Sequence, residues 1–125
     1  MIKIAIIGFG TVGQGVAELL LRKKEEIEKK LGRFKVVAIA DLTGSISGEF
    51  KLEDAIESRK RGRLPENRSA MEVAKEEDYD VMIEVTTTRL DESGIAYMKV
   101  ALERGANVIT SNKSIAIALP ELLRL

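Results

Sequence analysis

The chain has 125 residues, 45% of them apolar and 32% charged, the size and balance of one ordinary globular domain with a single core. It contains no Cys and no His, which excludes a disulfide framework, a Cys/His zinc site, a thiolate nucleophile and a Ser-His-Asp triad. Twenty basic and twenty acidic side chains cancel, so no global field draws the chain to nucleic acid or to an anionic membrane.

Ile2 to Ile7 is a short run rich in β-branched residues and stopped by Gly8, the pattern of a strand buried on both faces. Val16, Leu20, Ile27 and Leu31 then recur at helical spacing among Lys and Glu, with Gly32 as a C-terminal cap; one long amphipathic helix is expected. Its charges form a solvated face with i,i+4 pairs such as Glu25 with Lys29 and Glu26 with Lys30. Phe34 to Ala40 is a second apolar strand ending at Asp41, followed by a turn-rich stretch of Thr43, Gly44, Ser45 and Gly48. Leu52 to Arg61 is a short helix with Leu52 and Ile56 on one face and Gly62 as its stop. No strand is expected between that helix and the next, which Ser69 and Glu72 open as a capping box.

Asp80 to Val85 is a third apolar strand with Thr86, Thr87 and Thr88 beyond its carboxyl end. A helix with Ile95, Met98 and Leu102 inward and Gly105 as cap leads to a fourth strand, Asn107 to Thr110. Strands alternating with helices at this rhythm imply a parallel sheet. The fold class is therefore α/β, a Rossmann-like three-layer α/β/α domain with a short parallel sheet. Four strands are expected in the spatial order second, first, third, fourth, with the usual third strand of such folds shortened or lost, and residues 1–125 form one domain. In the segment Ser114 to Leu125, Pro120 starts a short helix whose apolar residues predict packing on something else, or self-association as a homo-oligomer. No apolar run reaches the roughly eighteen residues of a membrane span, and no cleavable signal pattern follows Met1; a cytoplasmic location is expected.

Gly8-Phe9-Gly10-Thr11-Val12-Gly13 is a complete G-x-G-x-x-G match between a strand and a helix. Gly8 permits the tight turn, Gly10 lets the backbone approach a pyrophosphate, and Gly13 allows close helix–strand packing. The helix N-terminus then holds phosphates through its N–H groups and dipole. The sequence thus points to NAD or NADP, the competing reading being a glycine turn that serves packing alone. Asp41 is the candidate acceptor for the adenosine ribose hydroxyls, roughly 33 positions beyond Gly8 against about 20 from the fingerprint in the usual motif, and its competing role is turn capping. In the basic run Ser58 to Arg63, either every charge is solvated or one side chain, Arg59, folds over the adenosine end and tolerates NADP. The lack of interleaved aromatics argues against a nucleic-acid platform. Thr86, Thr87 and Thr88, and Thr110, Ser111, Asn112 and Lys113, follow the carboxyl ends of the third and fourth strands, the edge where open α/β sheets bind ligands. They are candidates to frame the nicotinamide, with the Lys113 ammonium near the hydride-transfer locus. The alternatives are ordinary strand-end threonines and a surface lysine. No metal site is expected.

The stretches Ile7 to Gly15, Asp41 to Gly48, Tyr97 to Leu102 and Val108 to Lys113 together resemble the amino-terminal nucleotide-binding domain of homoserine dehydrogenases, over nearly the whole chain. The resemblance implies NAD(P)-dependent interconversion of aspartate semialdehyde and homoserine, in threonine and methionine biosynthesis. It also matches Lys113 to the catalytic-site lysine of the family's Asn-Lys motif. Leu42 stands where NADP-preferring members often carry Arg, which tilts the expectation toward NAD, and Ser114-Ile115 replaces the frequent Gly-Pro or Pro-Pro. The family's substrate and dimerisation domain, with its catalytic Asp and Lys, has no counterpart in these residues, so the isolated chain is expected to be inactive. The alternatives are a stand-alone or engineered Rossmann domain that only binds nucleotide or serves as a scaffold, and a dehydrogenase for another small aldehyde or hydroxy acid.

Overall fold

The structure, a computed structural model, describes residues 1–86 and 93–111. Strand β1 (Ile2–Ile7) lies at the centre of a five-stranded sheet. It pairs in parallel with β2 (Phe34–Asp41) on one side and β4 (Val81–Glu84) on the other. Beyond β4, β5 (Asn107–Thr110) continues the parallel sheet. The four parallel strands take the order expected from the sequence. The turn-rich stretch after Asp41 does not stay a turn: Gly44–Ser47 forms β3, antiparallel to β2, and gives the sheet order β3-β2-β1-β4-β5.

Why β3 exists is a tertiary matter. Four residues with two serines carry little strand signal of their own, but β3 is paired on both sides. Ser45 exchanges backbone hydrogen bonds with Glu66, Ser45 N to Glu66 O at 2.9 Å and Glu66 N to Ser45 O at 2.8 Å. The segment around Glu66 therefore covers an edge that would otherwise be open. Gly44 permits that approach, since a Cβ there would stand 2.4 Å from Glu66 O and its φ is +153°.

The β1–β2 register shifts once: Ile4 faces Val36 but Ala5 faces Ala38, so Val37 is an extra residue. An inserted residue reverses which face each later side chain meets. Phe34 and Val36 before the bulge, and Ile39 after it, all join one core layer with Ile4 and Ile6. Ala38 and Ala40 join the opposite layer with Ala5 and Ile7.

Helices α1 (Thr11–Arg22), α2 (Lys24–Leu31) and α3 (Leu52–Lys60) serve the first layer. Helices α4 (Ala70–Glu76) and α5 (Ser93–Glu103) serve the second, which makes three layers. The single long helix expected after the glycines is instead α1 and α2, interrupted at Lys23 (φ −107°, ψ 16°). A straight helix over both would run about 31 Å, well past a six-residue strand of about 20 Å. The break turns the chain so that Ile27 still packs on the layer that Val16 and Leu20 cover, and it leaves Leu31 70% exposed. Lys23 then pairs with Glu26 at 3.5 Å, and among the described residues neither Glu25–Lys29 nor Glu26–Lys30 forms. The α4 capping box is present, with Ser69 Oγ accepting from Glu72 N and Glu72 Oε1 accepting from Ser69 N, both at 3.1 Å. At its far end Arg104 donates to Ala74 O (2.6 Å) and Glu77 O (2.5 Å) and lies over the Tyr79 ring. Ile95 and Met98 are buried and Leu102 packs beside them, as their spacing predicts.

Candidate dinucleotide site

The carboxyl ends of β1, β2, β4 and β5 share one rim of the sheet. At the end of β1 the chain turns at Gly8 with φ +102°, where a Cβ would lie 2.7 Å from Val85 C and O and from Thr86 N. Gly13 is tighter still: its Cβ would stand 2.2 Å from Gly8 O and 3.3 Å from Val85 Cγ2. Both positions exclude a side chain, Gly8 because the backbone leaving β4 lies against it and Gly13 because the first turn of α1 packs on Gly8 and Val85. Gly10 is different. A Cβ there would meet nothing within 4 Å, and no side chain caps the N-terminus of α1, of which Gly10 is the N-cap. The first N–H groups of a helix have no partner inside it and carry the positive end of its dipole, so this exposed backbone fits an anionic diphosphate. Gln14 steadies the turn by donating from Nε2 to Phe9 O at 3.0 Å. The Phe9 side chain is wholly buried in the core, so only its backbone remains for a ligand, while Thr11 and Val12 are exposed.

At the end of β2, the bulge at Val37 places Asp41 on the same face as Ile39, the face α3 covers. There Arg59 Nε donates to Asp41 Oδ2 at 2.7 Å. Thr43 donates to Oδ1 from both its N (2.7 Å) and its Oγ1 (2.6 Å), and Thr43 Oγ1 in turn accepts from Leu64 N. Asp41 therefore caps its own turn, the competing reading, and Arg59 does reach it. The carboxylate is only 9% exposed. Three of its roughly four lone-pair positions are used, which leaves one on Oδ2 for an outside donor. Leu42 projects beside it, 89% exposed.

At the ends of β4 and β5 lies a group that motif reading passes over. Glu84 is fully buried. Its Oε2 accepts from Thr86 N at 2.9 Å and from Thr86 Oγ1, and its Oε1 accepts from Thr110 Oγ1 at 2.6 Å. Ser111 N donates to Glu84 O at 3.2 Å. The sequence signal was a single acid closing an otherwise apolar strand. Thr86 and Ser111 stand on this rim as expected. Thr87, Thr88, Asn112, Lys113 and the segment 114–125 lie outside the described residues.

Comparison with known proteins agrees with this fold. The family model for the NAD-binding domain of homoserine dehydrogenase matches residues 8–124. The chain belongs to this family. A curated homoserine dehydrogenase from Methanocaldococcus jannaschii is 36% identical over 132 residues, an alignment covering 96% of this chain and 39% of that protein. An NAD(+)-dependent homoserine dehydrogenase from Pseudomonas canavaninivorans is 32% identical, covering 89% of this chain and 35% of that one. Among solved structures, one assigned as a homoserine dehydrogenase from Archaeoglobus fulgidus superposes with a TM-score of 0.91 at 50% identity, over 99% of this chain and 38% of that chain. A hyperthermophilic archaeal homoserine dehydrogenase in complex with NADPH superposes with a TM-score of 0.79 at 32% identity, over 98% of this chain and 40% of that chain. The chain thus spans less than half the length of these homoserine dehydrogenases.

Proposed function

We propose that this chain binds NAD or NADP as the cofactor domain of a homoserine dehydrogenase acting between aspartate semialdehyde and homoserine, with the substrate groups other than Lys113 supplied from outside residues 1–125. The observation that carries the reading is the contrast within the glycine turn: Gly8 and Gly13 are closed by backbone, while Gly10 faces open space at an uncapped helix N-terminus. When bound, the cofactor supplies the hydride chemistry. The α1 amides and Gly8 to Gly13 hold the diphosphate. The free lone pair of Asp41 Oδ2 accepts from the adenosine ribose, and the exposed Leu42 offers apolar surface beside it.

Arg59 gives this end a choice. Paired with Asp41 it favours a ribose bearing two hydroxyls; swung out, its guanidinium meets a 2′-phosphate that Asp41 alone would repel. Relatives described with NAD(+) and with NADPH both occur, and both cofactors fit this arrangement. Thr86, Thr87, Ser111 and Asn112 frame the nicotinamide end, and Lys113 is the proposed catalytic-site lysine. Calorimetric titration with NAD and NADP tests the reading: binding of at least one is expected, with negligible homoserine oxidation by this chain alone. Failure to bind either would overturn it, and measurable turnover would overturn the assignment of substrate groups to residues elsewhere.

A further inference from the structure

Four of the residues in and after β4 (Val81, Met82, Ile83 and Val85) are apolar, so packing alone asks for another apolar side chain at position 84. The protein places a carboxylate there and covers it completely. Glu84 and Thr110 are register partners in the β4–β5 pair, so their side chains stand on the same face of the sheet, and Glu84 Oε1 accepts from the Thr110 hydroxyl. The other oxygen bends the chain beyond β4 back on itself by accepting from Thr86 N and Oγ1. One buried group thereby ties together the exits of two neighbouring strands. Apolar contacts tolerate small sliding, whereas hydrogen bonds lose strength steeply with distance and angle, and buried polar networks specify one arrangement when every member is satisfied.

We propose that Glu84 is a positioning residue for the nicotinamide end of the dinucleotide: it fixes Thr86 and Thr110, at the exits of β4 and β5, relative to each other. The proposal rests on the dinucleotide reading above. It differs from a purely structural role in its selectivity: Glu84 makes no hydrogen bond to the glycine turn, to Asp41 or to Arg59, and although Gly8 packs on Val85 and Thr86, the nicotinamide end should lose more than the diphosphate and adenosine ends.

The test titrates the full 125-residue chain with NAD and with ADP-ribose, which lacks the nicotinamide, alongside thermal melts. The unsubstituted chain should hold NAD more tightly than ADP-ribose. Glu84→Ala should lose about tenfold in NAD affinity and clearly less for ADP-ribose. Glu84→Gln should retain most NAD affinity, since its carbonyl accepts from Thr86 N and its amide donates to Thr110 Oγ1. Thr110→Val, which keeps the shape and removes one donor, should show a smaller loss for NAD only, and it carries the test if Glu84→Ala does not fold. Equal losses for both ligands, or unchanged NAD affinity in the Ala and Val variants, would overturn the positioning role while leaving dinucleotide binding intact. An unsubstituted chain that binds neither ligand would overturn the underlying reading and this proposal with it.

Discussion

The turn after β1 and the end of β2 lie on the same rim, yet one presents bare backbone and the other presents side chains already engaged. At Gly10 the ligand space is open and the helix amides need no rearrangement to meet an anion. At Asp41 the protein's own donors occupy most of the carboxylate, so a ligand there competes with Arg59 and Thr43. On the proposed reading the first site would be preorganised for any diphosphate, and the second would discriminate, because a ligand there must displace or join an existing bond.

Substitutions at the glycines should separate folding from binding most sharply. Gly13→Val forces a side chain into a position already 2.2 Å from Gly8 O, and is expected to destabilise by about 3 kcal/mol or more, read by urea unfolding or by loss of soluble protein. Gly10→Val has room for its side chain and should change stability by less than about 1 kcal/mol, while calorimetry shows dinucleotide affinity falling at least about a hundredfold, near 2.7 kcal/mol. If Gly10→Val bound normally, the open turn would not be the phosphate site. A smaller effect is expected at the other end. Arg59→Ala should cost about 1 kcal/mol of stability and weaken NADP by about tenfold relative to NAD, near 1.4 kcal/mol; an unchanged ratio would reduce the Asp41–Arg59 pair to a fold contact.

The opposite rim of the sheet sharpens the contrast, for charge pairs there stabilise without facing a ligand site. Lys3 Nζ donates to Asp78 Oδ2 at 2.6 Å, which lowers the Asp78 carboxyl below its ordinary range and raises the Lys3 ammonium above its own. A lowered carboxyl contributes stability that is present above its unfolded value near pH 4 and is lost as pH falls through its lower folded value. The raised Lys3 contributes below about pH 10.4, its unfolded value, and that contribution is lost as pH rises through its higher folded value. Asp78→Asn should therefore flatten the acid limb of a stability profile, slightly because the pair is exposed, and leave dinucleotide affinity unchanged. A shift in affinity would show that the two rims are coupled.

Much of this architecture was legible from residue order. The strand–helix rhythm carried the order of the four parallel strands, and Ser69 with Glu72 marked a helix start that the structure contains. The third strand was not legible, because Gly44–Ser47 is a strand only through its partners in β2 and at Glu66. Nor was the interruption at Lys23, which answers to the length of the sheet rather than to any helix-breaking residue. Glu84 was hidden for a related reason: its meaning lies in Thr110, 26 positions away in sequence and opposite it in the sheet.

The amino-acid order by itself determined the glycine turn, its place between a strand and a helix, and the family to which both belong. These depend on backbone freedom and hydrophobic spacing within about one turn or strand. Tertiary structure alone decided which way the β2 carboxylate faces, since one extra residue at Val37 reverses the pleat and delivers Asp41 to Arg59. Strand register is settled by pairing between distant segments, and no local pattern records it.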